Sequence, residues 1–200
     1  REFLQRDQAW LLLSIVLLYK FGDVVVGQLR TPFLRSVGFT LTEIGTMGKL
    51  VGIAATIVGA LVGGGFVAKW SLKRAMIAFG IAQALPNLTY AALAYTGKNY
   101  VLMAAGYGID NFMGGMGTAA LIAFLMTLCD KRYTAMQYAL FTALMTVPGR
   151  LFGLGSGWLV TQVGWPALWV ISVVVAVPAL LLLARARLPE PEPEPAPTEF

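Results

Sequence analysis

The chain falls into six long apolar runs separated by short polar turns, at about residues 10–33, 42–67, 72–95, 100–129, 133–163 and 165–184. Roughly 20 apolar residues, at about 1.5 Å of rise each, carry an α-helix across the hydrocarbon core of a bilayer. The pattern therefore predicts an all-α integral membrane protein of six transmembrane helices, with turns too short to hold a soluble domain. The stretch from Gly106 to Arg150 shows the pattern most clearly. An apolar run with Asp110 inside it reaches the polar turn Asp130, Lys131 and Arg132, and a second apolar run carries Arg150. It reads as a helical hairpin. Charges so placed are costly against lipid, so both are expected to face a bundle interior or a water-filled cavity.

Charge adds a topology. Arg1, Arg6, Lys69, Lys73, Arg74, Lys131, Arg132, Arg185 and Arg187 fall before the first run, after the last, or in the second and fourth turns, against only Arg35 and Lys98 in the opposite turns. By the positive-inside rule both termini are expected in the cytoplasm. The same placement turns the net charge of +5 into a topology signal and argues against a nucleic-acid partner. The run at residues 10–18 has the length of a signal-peptide core, but Lys20 and Asp23 follow it in place of a small-residue cleavage site. From Leu188 the alternating Pro and Glu residues predict a solvated, disordered tail.

Composition supplies exclusions. With 58% hydrophobic and 12% charged residues, against about 25% charged in soluble domains, the chain is not a soluble protein. It has no His and only Cys129, which excludes an internal disulfide and argues against zinc chemistry and Ser-His or Cys-His catalysis. No catalytic residue, metal site or cofactor is expected.

Small residues mark candidate helix contacts: Gly59 and Gly63 in the second run, and Gly149, Gly153 and Gly157 in the fifth, at the four-residue spacing that lets backbones approach. In the fourth run Gly106, Asp110, Gly114 and Gly117 share a face, placing the carboxylate on a packed or cavity-lining stripe. Pro86 and Pro148 lie inside the third and fifth runs, where a missing donor usually bends a helix. Plain packing is the favoured reading of these glycines and prolines.

The interior charges carry the functional candidates. Lys20 and Asp23 are three apart, and self-neutralisation and a transport role stand level for them. Arg30 lies near the outer end and is set aside as snorkelling. Lys49 lies about two turns inside the second run. Asp110 has Asn111 beside it as a hydrogen-bond partner, and Arg150 shares a face with Thr146, Gly153 and Gly157. Lys20, Lys49 and Arg150 against Asp23 and Asp110 would leave one cation over in a shared cavity. Such a cavity favours an anionic substrate, and a desolvated carboxylate in it is a candidate proton carrier.

Six helices with short turns and interior charges describe half of a major facilitator transporter, each half being a 3+3 inverted repeat. The turn Gly64-Gly65-Phe66-Val67-Ala68-Lys69-Trp70-Ser71-Leu72-Lys73-Arg74 looks like a degenerate copy of that superfamily's loop signature, without its Asp and later Gly. More specifically, Tyr19-Lys20-Phe21-Gly22-Asp23, Ala55-Thr56-Ile57-Val58-Gly59-Ala60-Leu61, Gly114-Gly115-Met116-Gly117-Thr118-Ala119-Ala120, Leu125-Met126-Thr127-Leu128-Cys129 and Thr134-Ala135-Met136-Gln137-Tyr138-Ala139-Leu140, then Gly149-Arg150, resemble the carboxy-terminal half of AmpG-type muropeptide permeases. The resemblance runs from Leu11 to Ala184 and fails at the tail.

What it implies is proton-coupled import of GlcNAc-anhydroMurNAc peptides from periplasm to cytoplasm across the bacterial inner membrane, for peptidoglycan recycling. The implied partners are an anionic small molecule, protons, membrane lipid, and a facing six-helix amino-terminal half or a second copy. The family's first six helices are missing here, so the chain is expected to be a fragment, a separate chain, or a half-length protein that must pair. The alternatives are a major facilitator half for another anion such as acetyl-coenzyme A, and a non-transporting module that dimerises. A membrane enzyme for cell-wall precursors is disfavoured by the lack of His and of a phosphate-cradling loop.

Overall fold

The computed structural model describes residues 8–129, 134–186 and 188. The tail beyond Leu188, and Arg1, Arg6, Asp130, Lys131, Arg132 and Arg187, lie outside the described residues. Every regular element among the described residues is helical: α1 (Ala9–Tyr19), α2 (Phe21–Val37), α3 (Leu41–Met47), a π turn (Gly48–Gly52), α4 (Ile53–Lys69), α5 (Leu72–Ala82), α6 (Leu85–Thr96), α7 (Tyr100–Leu128) and α8 (Thr134–Arg185).

The connections are set by local chemistry. Gly38, at φ 106°, ends α2, and the backbone N–H groups of Gly38 and Phe39 return to Arg35 and Leu34. Two residues later Thr40 and Glu43 form a capping box: the Glu43 N–H donates to Thr40 Oγ1 at 3.2 Å and the Thr40 N–H donates to the Glu43 carboxylate at 2.7 Å. Gly97, at φ 75°, ends α6, and the Asn99 side chain accepts from the N–H groups of Val101 and Leu102 to start α7.

Three runs expected as continuous helices are interrupted. Lys20, at φ −92° and ψ −1°, separates α1 from α2. Gln83 and Ala84 separate α5 from α6, because Pro86 in the first turn of α6 has no N–H to donate back and its ring would clash with the preceding turn. Gly48–Gly52 winds as a π turn between α3 and α4. Pro148, by contrast, is carried inside the first part of α8, which is two helices meeting at a kink where Gly164 stands at φ 73° and ψ 169°.

Among the described residues, by length and apolar composition, four stretches qualify as membrane spans, at Leu41–Lys69, Leu72–Thr96, Tyr100–Leu128 and Gly157–Arg185. The first run fails that length criterion because Lys20 divides it. Two clusters fill the interior. One gathers Ile15, Val16, Met76, Phe124, Leu125 and Leu183. The other is aromatic: Phe33, Tyr90 and Trp165 surround Trp169 with ring centroids 5.1, 5.0 and 6.5 Å from it.

Helix α4 lies on α7 through its glycines. A Cβ on Gly59 would overlap the Phe112 backbone, one on Gly63 would sit 2.6 Å from Met116 Cα, and one on Gly115 would strike the backbone of α4. The rest of α4 is open, with Ile53, Ile57 and Leu61 all more than half exposed. α1 and α2 flank α8, while α6 packs on both α7 and α8. At one end of the bundle Lys73 Nζ donates to the Ala184 and Ala186 carbonyls at 2.6 and 2.8 Å. At the other, Lys98 Nζ and the Tyr100 hydroxyl donate to the Glu43 carboxylate.

Candidate functional site

Half way along the helices, α2, α4 and α7 border an open groove of about 280 Å³ whose polar wall holds Lys20, Asp23, Arg30, Asp110 and Asn111. The break at Lys20 frees that side chain from the helical register. It pairs with Asp23 and reaches the Gly114 carbonyl at 3.4 Å. With the Gln83 amide turned so that its NH2 faces the carboxylate, Gln83 also donates to Asp23 at 2.8 and 3.2 Å.

The second pair is Arg30 with Asp110, joining α2 to α7. The Arg30 guanidinium lies 4.5 Å from the centroid of the Tyr107 ring, and the Tyr90 hydroxyl stands 3.5 Å from the Asp110 carboxylate. Arg30 therefore does not snorkel; it turns inward and is the partner that Asp110 lacks on its own helix. Asn111 does not serve Asp110 either. Its NH2 donates to the Tyr107 carbonyl at 2.8 Å and its Oδ1 accepts from Thr56 Oγ1 at 3.3 Å.

Lys49 and Arg150 are exposed and do not line this groove, and among the described residues they form no ion pair. The expected grouping of Lys20, Lys49, Arg150, Asp23 and Asp110 is thus corrected. Among the described residues the groove holds Lys20 and Arg30 against Asp23 and Asp110, two cations and two anions, with no positive surplus.

The other glycines divide. Gly149 lies against Val24 and Gly153 against Gln28, setting α8 on α2, while Gly117 lies against the Gln83 side chain. Gly114 and Gly157 are corrected as contact residues, since a Cβ at either would meet nothing within 4 Å among the described residues. Gly114 borders the groove instead.

Behind the carboxylates lies a second, more enclosed chamber, lined by Tyr19, Asp23, Gln83, Asn87, Asp110 and Ser172 among others. Asn87 and Ser172 are its buried polar residues, 5% and 6% exposed. The Ser172 hydroxyl donates to the Trp169 carbonyl, whereas Asn87 Oδ1 has no partner. Sequence reasoning missed Arg30, Gln83 and Asn87. The usable signals were the seven-residue spacing of Asp23 and Arg30 and the Gln83-x-x-Pro86-Asn87 break in an apolar run.

An interrupted helical bundle with paired charges facing a groove half way along it is the design of a membrane carrier, and the sequence agrees: residues 11–200 match the model of the Major Facilitator Superfamily, to which the chain belongs. It is a multi-pass membrane protein of a family of transporters rather than enzymes.

Over 183 residues it is 46% identical to the Anhydromuropeptide permease of Escherichia coli (strain K12), covering 90% of this chain and 37% of that protein. It is 32% identical to the Putative transporter AmpG 4 of Rickettsia felis (strain ATCC VR-1525 / URRWXCal2), over 90% of this chain and 44% of that protein. It is also 32% identical to the Putative transporter AmpG 1 of Rickettsia bellii (strain RML369-C), over 86% of this chain and 42% of that protein. The chain thus spans 37% to 44% of the length of these relatives. The resemblance to AmpG-type permeases read from the sequence is borne out, as is the all-α major facilitator fold.

Proposed function

We propose that the chain is half of a proton-coupled secondary transporter that imports anhydro-muropeptides from periplasm to cytoplasm across the bacterial inner membrane, with both termini in the cytoplasm. The observation that carries this reading is the neutral double ion pair in the groove. A substrate carboxylate entering alone would leave one uncompensated negative charge in a low-dielectric site, which is costly. A carboxylate arriving with one proton leaves the site neutral. Protonation of Asp110 releases Arg30, whose guanidinium then takes the substrate carboxylate in a paired, bidentate geometry. Neutrality thus makes proton and anion travel together.

The facing partner is a six-helix amino-terminal half or a second copy. Lys49 and Arg150 support this, because both are exposed on the bundle and both are expensive against lipid. Import of anhydro-muropeptides rests on the name of the Escherichia coli relative.

Asp110→Asn in the assembled transporter tests the reading. Asn keeps the volume and a hydrogen-bond acceptor but cannot ionise. The expected outcome is loss of accumulation against a gradient with exchange of substrate across the membrane retained. Accumulation that stays proton-driven and undiminished overturns the coupling role, and loss of stability together with exchange assigns Asp110 to structure alone.

A further inference from the structure

We propose that the chamber behind the carboxylates is a bound-water site, anchored by Asn87, that hands the proton to Asp110 from the side away from the groove. The inference rests on the proton-coupled reading above and goes beyond it by separating the path of the proton from the path of the substrate.

Asp23 and Asp110 line both cavities, so the carboxylates are the wall between them. A group with one face on each compartment can be loaded from one and read from the other. The groove is open, whereas the chamber is more enclosed and has room for one water-sized particle.

The side chain of Asn87 lines that space, and its Oδ1 is buried with no hydrogen bond. A buried amide without a partner is destabilising, and the usual remedy in a polar space of this size is an ordered water.

Charge decides what the occupant is. Both carboxylates already have cationic partners, Lys20 and Arg30, so a metal cation would add an unbalanced charge to a neutral site. A water adds none. It both donates and accepts, and so serves the Asn87 amide whichever way its ends are turned. The groups that face Asp110 are Arg30, Lys20 and Asp23 from the first run, Tyr90 of α6 and Tyr107 of its own helix. α4 brings Thr56 and α8 brings Ser172, neither of which titrates.

The step balances. The bound water gives one proton to an Asp110 oxygen, breaking its own O–H bond and forming that of the carboxylic acid, and recovers a proton from a hydronium arriving on the chamber side. Asp110 is then neutral and Arg30 is released to the groove. Asn87 touches neither substrate nor Asp110 in this scheme; it is a positioning residue.

The test uses the assembled transporter with three variants. Asn87→Leu removes the amide at similar volume, Asn87→Ser restores a hydroxyl that can hold a water, and Ala179→Leu fills the chamber from its opposite wall. Asn87→Leu and Ala179→Leu are expected to lower proton-driven accumulation at least tenfold while substrate exchange stays within twofold of the parent. Asn87→Ser is expected to recover most of the accumulation. Wild-type accumulation in either Leu variant overturns the proposal. Equal loss of exchange and accumulation in all three variants also overturns it, since that marks a packing role. Asp110→Asn run in parallel separates the two readings. If it abolishes accumulation and Asn87→Leu does not, only the water site fails; if it leaves accumulation intact, the coupling reading fails first.

Discussion

Glu43 meets Lys98 at one end of the bundle and Asp110 meets Arg30 half way along it, two ion pairs with the same chemistry in opposite settings. The end pair lies where a capping box, a tight turn and Tyr100 gather, and its side chains are 36% and 28% exposed. The inner pair is 21% and 19% exposed, and that exposure is to the groove. Water competes for the first pair and repays its loss. For the second, the alternative to pairing is an isolated charge in a low dielectric. The end pair is therefore a fastening that the fold can lose, while the inner pair cannot be opened without something else taking each charge. That second property is what a coupled carrier needs.

The largest effect is expected at the inner pair. Arg30→Ala leaves Asp110 buried and unpaired and is expected to cost about 3–5 kcal/mol of stability, read as thermal unfolding in detergent. Removing Asp110 as well, in Arg30→Ala with Asp110→Ala, is expected to recover most of that loss. A double variant no better than the single one would show that the two charges are not coupled.

A smaller effect is expected at the groove wall, where α4 is held to α7 by glycine contact. Gly59→Val drives a branched side chain into the Phe112 backbone and is expected to cost about 1–3 kcal/mol, while Gly64→Val, in open space, is expected to change stability by less than about 0.5 kcal/mol. Equal effects at the two positions would remove the glycine contact as the reason α4 stays on α7.

The smallest effect belongs to the end pair. The Tyr100 hydroxyl, and after it Glu43, raise the Lys98 pKa above the ordinary lysine range. A cation held more strongly in the folded state contributes its stability below the unfolded value and loses it as pH rises through the folded one. This contact therefore adds no pH dependence between about pH 6 and about pH 9, and it fades above the lysine value of about 10.4. It fades again as pH falls from the ordinary carboxylate range toward about 2, the value down to which Tyr100, Thr40 and Lys98 hold the Glu43 carboxyl. Lys98→Ala is expected to cost only a small amount of stability at neutral pH, equal to the alkaline decline that it abolishes. A marked loss at neutral pH would erase the contrast between the two pairs.

How far the sequence was legible follows the same divide. Runs of twenty or more apolar residues and the placement of positive charges carry the all-helical membrane class, because hydropathy needs no knowledge of which way a helix is turned. The partner of Asp110 needed that knowledge. Distance from a helix end suggested snorkelling for Arg30, but the break at Lys20 resets the rotation of α2 and aims Arg30 at α7. Asn111 was assigned to Asp110 by adjacency, although neighbours on a helix point roughly 100° apart and do not face each other. Asn111 instead faces Thr56 of α4. Lys49 and Arg150 were grouped with the other charges by depth along their helices, a coordinate that says nothing of inside or outside.

The bond from Lys73 to the end of α8 has a mechanical meaning. Residues 165–185 form a strut pivoted at Gly164 and pinned at its far tip to the start of α5. At about 1.5 Å per residue the strut is roughly 30 Å long, so about one degree of tilt at the pivot moves the tip by about 0.5 Å. That travel is comparable to the slack in a hydrogen bond. Any larger swing of the strut must drag α5, and with it Gln83 behind Asp23, or else break the pin.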